Sequence, residues 1–369
     1  MRRVILVFFI IWFSLGLTTS LWANEPVIGA QAAVLIDAET GKVLYGKNHK
    51  QYRPPASTTK MITAILSIEK GNLDDIIIIS DRASQTGEAS LNLVAGERIT
   101  LKNLLYGALL RSGNDACVAI AEHTASTVEE FVALMNLKAQ LLGCYDTNFV
   151  NTNGLPAKNH YSTAYDLAQI ARYGLKNEIF AQIVATANYT IIWEESNRKR
   201  VIKNTNKLLT TYYGATGIKT GTTDEAGYCL VASAKKDNRN LIVVVLKSNN
   251  RFRDAEILLD YGFNNFRNIN IIQENKQINY QSSEIGKDLY LYTGKNLTVT
   301  VNNKEKVNIT QELQLDMDKI KNNVNANDVV GRLKYLNSGV EVGSVPILTA
   351  QEMVENKESS NFWKIFRDK

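Results

Sequence analysis

Apolar positions recur in two different rhythms along this chain, and the rhythms divide it. From Ala30 to about Phe266, short strand-like runs mix with runs of helical spacing. Ala32–Asp37 and Lys42–Tyr45 flank Ala38-Glu39-Thr40-Gly41, the pattern of a β-hairpin. Helical spacing follows at about Ser57–Lys70, Leu101–Leu110, Asp115–Thr124, Glu129–Leu142 and Ala164–Tyr173. Ser126-x-x-Glu129 reads as a capping box, and Gly143 and Gly174 stand where helices usually stop. Gly217–Thr222, Gly227–Ala234 and Leu241–Lys247 read as consecutive antiparallel strands, with Asp254–Tyr261 as a closing helix. The order predicts an α+β domain over residues 24–266, an antiparallel sheet with helices on its faces.

Beyond Phe266 the rhythm shortens. Asp288–Tyr292, Leu297–Val301, Val307–Leu315, Val329–Leu333 and Val340–Leu348 are brief runs separated by Asn, Gly and Lys turns. They predict a small all-β domain over 267–348. A polar tail, 349–369, closes on Asn361-Phe362-Trp363-Lys364-Ile365-Phe366-Arg367. As a helix, that segment sets its aromatics and Ile365 on one side and Lys364 and Arg367 on the other. Such a face suits shallow, reversible insertion into an anionic membrane surface; a frayed end packed on the β domain is the alternative. At the other terminus, Arg2 and Arg3 precede an apolar run from Val4 to Leu17, with small and polar residues up to Ala23. Residues 1–23 therefore read as a secretory signal, with an uncleaved anchor as the alternative, and the protein is expected outside the cytoplasm.

Composition narrows the function classes. The chain has 369 residues, 45% of them hydrophobic and 21% charged, enough for two buried cores and too apolar for disorder. A net charge of +5, not gathered into a block, gives no footprint for nucleic acid. Cys117, Cys144 and Cys229 are too few and too scattered for a disulfide framework. His49, His123 and His160 are isolated, so no metal and no cofactor is expected.

The chemistry lies in the first part. Ser-x-x-Lys occurs at Ser57/Lys60, Ser67/Lys70, Ser196/Lys199 and Ser233/Lys236, and context must choose among them. Ser233 lies in a strand, where residues three apart point to opposite faces. Ser196 sits in a polar run, and Ser67 lies inside a helix. Ser57 differs: Arg53-Pro54-Pro55-Ala56 holds the chain extended and a helix begins at or near the serine. Lys60 shares its face one turn on and, if neutral, can take the hydroxyl proton. Read alone, the pair is a helix cap followed by an exposed lysine. Ser112-Gly113-Asn114 between two helices and Lys219-Thr220-Gly221 in a strand change that reading. Gly221 would let a substrate backbone approach the strand, and Lys219 would share its face. The three motifs, in this order, form the set used by active-site-serine penicillin-recognising enzymes.

The chain resembles the low-molecular-mass penicillin-binding proteins that act as serine-type D-Ala-D-Ala carboxypeptidases. The likeness runs through Arg53–Met61, Arg111–Ala116, Gly217–Thr223, Ala226–Tyr228 and Leu258–Phe263. The resemblance implies a penicillin-recognising, β-lactamase-like catalytic fold followed by a β domain. It implies Ser57 as acylated nucleophile, Lys60 as its neutral base, Ser112 as proton relay to the leaving amine, and Asn114 orienting substrate and Lys60. It further implies that Lys219, still charged, holds the terminal carboxylate and Ser112. Thr220, Gly221 and Thr222 would line the substrate strand, with Arg251 near the carboxylate end. Backbone N–H groups of Ser57 and Thr222 would form the oxyanion hole. The partners implied are peptidoglycan stem peptides as substrate and β-lactams as covalent inhibitors, met at the outer face of the cytoplasmic membrane. Endopeptidase or weak β-lactamase action on the same fold, or a penicillin-binding sensor without turnover, are the alternatives.

Other motif matches are set aside. Glu88-Ala89-Ser90-Leu91-Asn92 fits the Glu-x-x-Leu-Asn element of class A β-lactamases, but it precedes Ser112-Gly113-Asn114 where theirs follows. Gly41–Lys47 has phosphate-loop spacing, yet Asn48 replaces the required Ser or Thr within a hairpin. Cys117, one turn beyond Asn114, reads as a small buried residue.

Overall fold

The computed structural model describes residues 25–194, 198–282, 287–321 and 324–350. The segment expected to act as a signal, Ser196 and the aromatic tail fall outside the described residues. Five antiparallel strands form the central sheet: β1 (Ala32–Asp37), β2 (Val43–Lys47), β3 (Ala215–Thr223), β4 (Gly227–Lys236) and β5 (Arg239–Ser248). Their spatial order is β2-β1-β5-β4-β3, so the N-terminal hairpin pairs with the last strand and β3 is an edge. Burial on both faces explains the near-continuous apolar runs. Ala32, Val34 and Ile36 of β1 enter one core, and Ala33 and Leu35 enter the other, as the two-residue period requires.

The larger core lies under α1 (Lys60–Lys70), α2 (Asn114–Ala125), α3 (Val128–Leu141) and α4 (Ala164–Gly174). The opposite face is covered by α5 (Arg251–Asn265) through Ala255, Leu258 and Leu259. Each fully buried aliphatic side chain contributes roughly 1.5–3 kcal/mol, so two cores hold the sheet rigid beneath the site.

Local signals moved in two places. Ser126 takes a left-handed conformation (φ 63°) that ends α2, and Thr127 caps α3 instead by accepting from the Glu130 N–H at 3.1 Å. The predicted capping box is thus displaced by one residue. The helix expected over Leu101–Leu110 is α-helical only to Tyr106. Gly107–Arg111 form a widened π turn that hands the chain to Ser112, itself left-handed (φ 69°). A helix at Glu178–Ala185 and the strand pairs Ile76–Ile78/Arg98–Thr100 and Asn188–Ile192/Lys199–Lys203 were not legible in the sequence.

From Phe266 the chain is β-rich. Phe266–Ile272 pairs with Leu297–Asn302. A second sheet runs in the order Gln277–Ser282, Lys287–Thr293, Val340–Thr349, Val329–Asn337, Ile309–Leu315 around its own core of Leu291, Leu333, Val345 and Ile347. The short helix Met317–Lys321 adds Ile320 to that core. The hairpin of the first part touches the second: Lys42 Nζ donates to the Thr300 carbonyl at 2.8 Å.

Candidate active site

Ser57 sits on a single 3₁₀ turn, Ala56–Thr59, that leads directly into α1. Pro54 and Pro55 deliver the chain, and Ala56 is left-handed (φ 47°), which turns the serine into the cleft. Two glycines let the neighbouring backbones close on it. A Cβ on Gly154 would stand 1.9 Å from the Ala56 carbonyl oxygen and 2.9 Å from the Ser57 nitrogen. One on Gly221 of β3 would stand 3.0 Å from the same nitrogen. Any side chain at either position would push the serine turn away.

Lys60 is fully buried, with its Nζ 2.8 Å from Ser57 Oγ. It also bonds the Asn114 Oδ1 at 2.8 Å and the Asn153 carbonyl oxygen. The arrangement has a chemical meaning. A neutral amine carries two hydrogens and one lone pair; two oxygens that can only accept occupy the hydrogens, leaving the lone pair aimed at the Ser57 hydroxyl. Burial drives the amine toward neutrality, lowering its pKa to about 8 against the opposing pull of Cys117, Glu88 and Asp115.

The acceptors are themselves fixed. Asn151 Oδ1 accepts from the Gly154 N–H at 2.7 Å, and the Thr63 hydroxyl donates to the Thr152 carbonyl at 2.6 Å, so the Asn153 turn is bolted to α1. His160 adds a second bolt. Its Nδ1 accepts from the Val150 N–H at 3.0 Å, which places the ring proton on Nε2, 3.0 Å from Thr59 Oγ1. Burial and the charge of Lys60 push this imidazole down to about 4, keeping it neutral. Asn114 Nδ2 donates to the Gly87 carbonyl at 2.9 Å, and its backbone N–H to Ala89 at 2.7 Å. The loop at 87–94 is tied in turn by the buried carboxylate of Asp115, which accepts from Ser90, Leu91 and Leu93. Asn153, His160 and Asp115 were missed by sequence reasoning; the Asn153-Gly154 dipeptide was the one available signal, as a turn.

The remaining predicted residues converge on the cleft with some differences. Ser112 is buried two residues before Asn114, its backbone N–H donates to the Gly107 carbonyl, and its side chain makes no hydrogen bond among the described residues. Lys219 is buried and donates to the Thr220 carbonyl at 3.0 Å, rather than to Ser112. Its pKa falls well below the ordinary lysine value, through burial first and then the charge of Lys60. Burial thus lowers the pKa of both lysines. The Thr220 hydroxyl meets Thr205 Oγ1 at 2.6 Å, and the Thr205 N–H donates to the Leu110 carbonyl just before Ser112. Arg251 opens α5 and donates to the Gly221 carbonyl at 2.8 Å and Thr222 Oγ1 at 2.9 Å, bracing the end of β3. Because β3 is an edge strand, one side of its backbone is free to pair with an extended peptide.

Two of the other Ser-x-x-Lys copies lie in the core. Ser67 is buried and donates to the Thr63 carbonyl, and Ser233 is buried against Thr216. Neither forms a hydrogen bond with the lysine three residues on. Cys117 is buried, and burial raises its thiol to about 11, so it stays protonated. Among the described residues no group of three His, Cys, Asp or Glu side chains could hold a metal ion.

A serine–lysine pair beneath the edge of an α+β sheet, with a Ser-x-Asn turn and a Lys-Thr-Gly strand beside it, defines the penicillin-recognising serine class. A family model for D-alanyl-D-alanine carboxypeptidases matches residues 19–250, and one for the penicillin-binding protein 5 C-terminal domain matches 266–355. The chain is 35% identical to D-alanyl-D-alanine carboxypeptidase DacF of Bacillus subtilis, covering 92% of this chain and 88% of that protein. It is 30% identical to DacC of Escherichia coli over 92% of this chain and 87% of that one. The crystal structure of penicillin binding protein 5 from Haemophilus influenzae superposes with a TM-score of 0.76 at 28% identity, over 89% of this chain and 98% of that chain. The chain belongs to the D-alanyl-D-alanine carboxypeptidase family of serine peptidases, the penicillin-binding proteins with a second, all-β domain.

Proposed function

We propose that this chain cleaves the terminal D-alanine from peptidoglycan stem peptides ending in D-Ala-D-Ala, through an acyl-enzyme on Ser57. The observation that carries the reading is the three-way coordination of Lys60 Nζ by Ser57, Asn114 and the Asn153 carbonyl. In this reading the peptide pairs along the free edge of β3, its terminal carboxylate beside Lys219 and Arg251. The carboxylate favours the charged form of Lys219, which burial disfavours. Lys60 accepts the Ser57 proton as Oγ attacks the penultimate carbonyl, whose oxygen moves toward the Ser57 and Thr222 N–H groups. Ser112, with no competing partner, passes a proton to the departing D-alanine amine. Water then hydrolyses the ester. β-Lactams would acylate the same serine.

The test is release of free D-alanine from a synthetic pentapeptide, alongside labelling by a fluorescent penicillin. Ser57→Ala should abolish both. Label retained by that variant, on another serine, would overturn the assignment.

The reading extends to the ends of the chain. Residues 1–23 act as a cleaved export signal, 24–266 as the catalytic domain, 267–348 as the β domain and 349–369 as a tail. The aromatic and basic residues at 361–369 contact the membrane weakly, which keeps the enzyme at the cell-wall side.

A further inference from the structure

The Glu88-Ala89-Ser90-Leu91-Asn92 segment stands at the wrong place in the chain for a β-lactamase. The fold nevertheless brings it to the site. Residue 88 is flanked on both sides by carbonyls bonded to Asn114: Gly87 takes the side-chain amide at 2.9 Å and Ala89 the backbone N–H at 2.7 Å. Asn114 in turn bonds Lys60, and Lys60 bonds Ser57. Glu88 is left-handed (φ 61°), a conformation that disfavours L side chains and is held here by the Asp115 clamp on the following residues. Its side chain is exposed and forms no hydrogen bond or ion pair with the described residues. The carboxylate is near enough to Lys60 to favour that lysine's charged form.

Lys219 and Arg251 belong to the β3 side of the site, whereas Glu88 lies on the loop bonded to Asn114. We propose that Glu88 is a specificity-determining residue that favours peptides carrying a free amine upstream of the scissile bond. The proposal rests on the carboxypeptidase reading and deepens it. A substrate with its carboxylate at Lys219 and a cationic side chain toward Glu88 is held in one direction by opposite charges at its two ends. Each extended residue advances about 3.3–3.6 Å, so a long amine-bearing side chain one residue before the D-alanines can span the width of Asn114.

The test compares two synthetic peptides ending in Lys-D-Ala-D-Ala, one with a free ε-amine and one with that amine acetylated. The parent enzyme should favour the free amine in kcat/KM by about two- to five-fold, the range of an exposed ion pair. The preference should shrink toward parity at 1 M salt, where the screening length is about 3 Å. Glu88→Gln should bring the ratio close to one at low salt, and Glu88→Lys should reverse it. A parent ratio of one, or a ratio that survives Glu88→Gln, overturns the proposal. If the parent releases D-alanine from neither peptide, the carboxypeptidase reading fails and takes this inference with it, whereas release at equal rates rejects Glu88 alone.

Discussion

Asp115→Asn tests whether the loop at 87–94 is held over the site by a single buried carboxylate. Oδ1 of Asp115 accepts from the N–H groups of Leu91 at 3.0 Å and Ala116 at 2.9 Å. Oδ2 accepts from the Ser90 hydroxyl at 2.6 Å and the N–H groups of Leu91 at 2.9 Å and Leu93 at 3.1 Å. Every group around the carboxylate donates. An asparagine keeps one acceptor and turns an NH₂ against donors. In its better orientation the oxygen replaces Oδ2, which leaves the Ala116 N–H facing the amide. The three surviving bonds also lose their charge, about 1 kcal/mol each, and an orphaned buried N–H costs about 1–3 kcal/mol. The closed loop should thus weaken by about 4–6 kcal/mol, enough for local opening within a fold whose total stability is typically about 5–15 kcal/mol. Hydrogen exchange at the Leu91 and Leu93 amides should rise by at least about a hundredfold, since each 1.36 kcal/mol is tenfold. Opening also strips Asn114 of its Gly87 and Ala89 partners, so penicillin acylation should slow by about tenfold or more. Exchange within threefold of the parent, with an unchanged acylation rate, would refute the clamp.

Two further outcomes follow from the same geometry. Lys60 works as a base only when neutral, and its pKa is lowered to about 8, so acylation should rise with pH, tenfold per unit well below 8, and level off above it. Stopped-flow acylation by penicillin between pH 5 and 10 checks this: Lys60→Arg should remove the rise, and a flat parent profile would exclude a titrating base. Export and membrane contact are read from cells and vesicles. The mature N-terminus should begin after Ala23, and protein lacking residues 361–369 should sediment less with anionic vesicles than the mature chain; an intact N-terminus and equal sedimentation would reject both.

How legible the fold was depended on where the information sat. β1 is bounded in sequence as in space, because its apolar run Ala32–Ile36 lies between Gln31 and Asp37. The central strands and the helices under them were legible for the same reason: each buries a face whose period is written in the chain. Asn188–Ile192 and Lys199–Lys203 were not, since only one residue of each strand is buried and both are mostly polar or exposed. The capping box slipped because Ser126 and Thr127 are equally good caps, and the left-handed turn that ends α2 decides between them. In the second part, Phe266–Ile272 was missed because its side chains are half-buried rather than alternating.

The site divides in the same way, and the division says what kind of chemistry a sequence can display. Ser57 and Lys60 are three residues apart, so their meeting is local and needs only the turn that begins α1. Asn114 and Lys219 came within reach through motifs whose side chains do the work. The third partner of Lys60 is different. It is a backbone carbonyl at Asn153, 93 residues away, and every residue has a carbonyl. What distinguishes position 153 is its surroundings: the Asn151 side chain that folds the turn, the Thr63 hydroxyl that ties it to α1, and Gly154, which alone allows the turn to lie against the Ala56 carbonyl. The functional atom left no mark in the sequence, whereas the glycine that makes room for it did. Replacing Gly154 should therefore disturb the base more than replacing Asn153, because the Cβ displaces the Ser57 turn while the carbonyl at 153 survives any side chain.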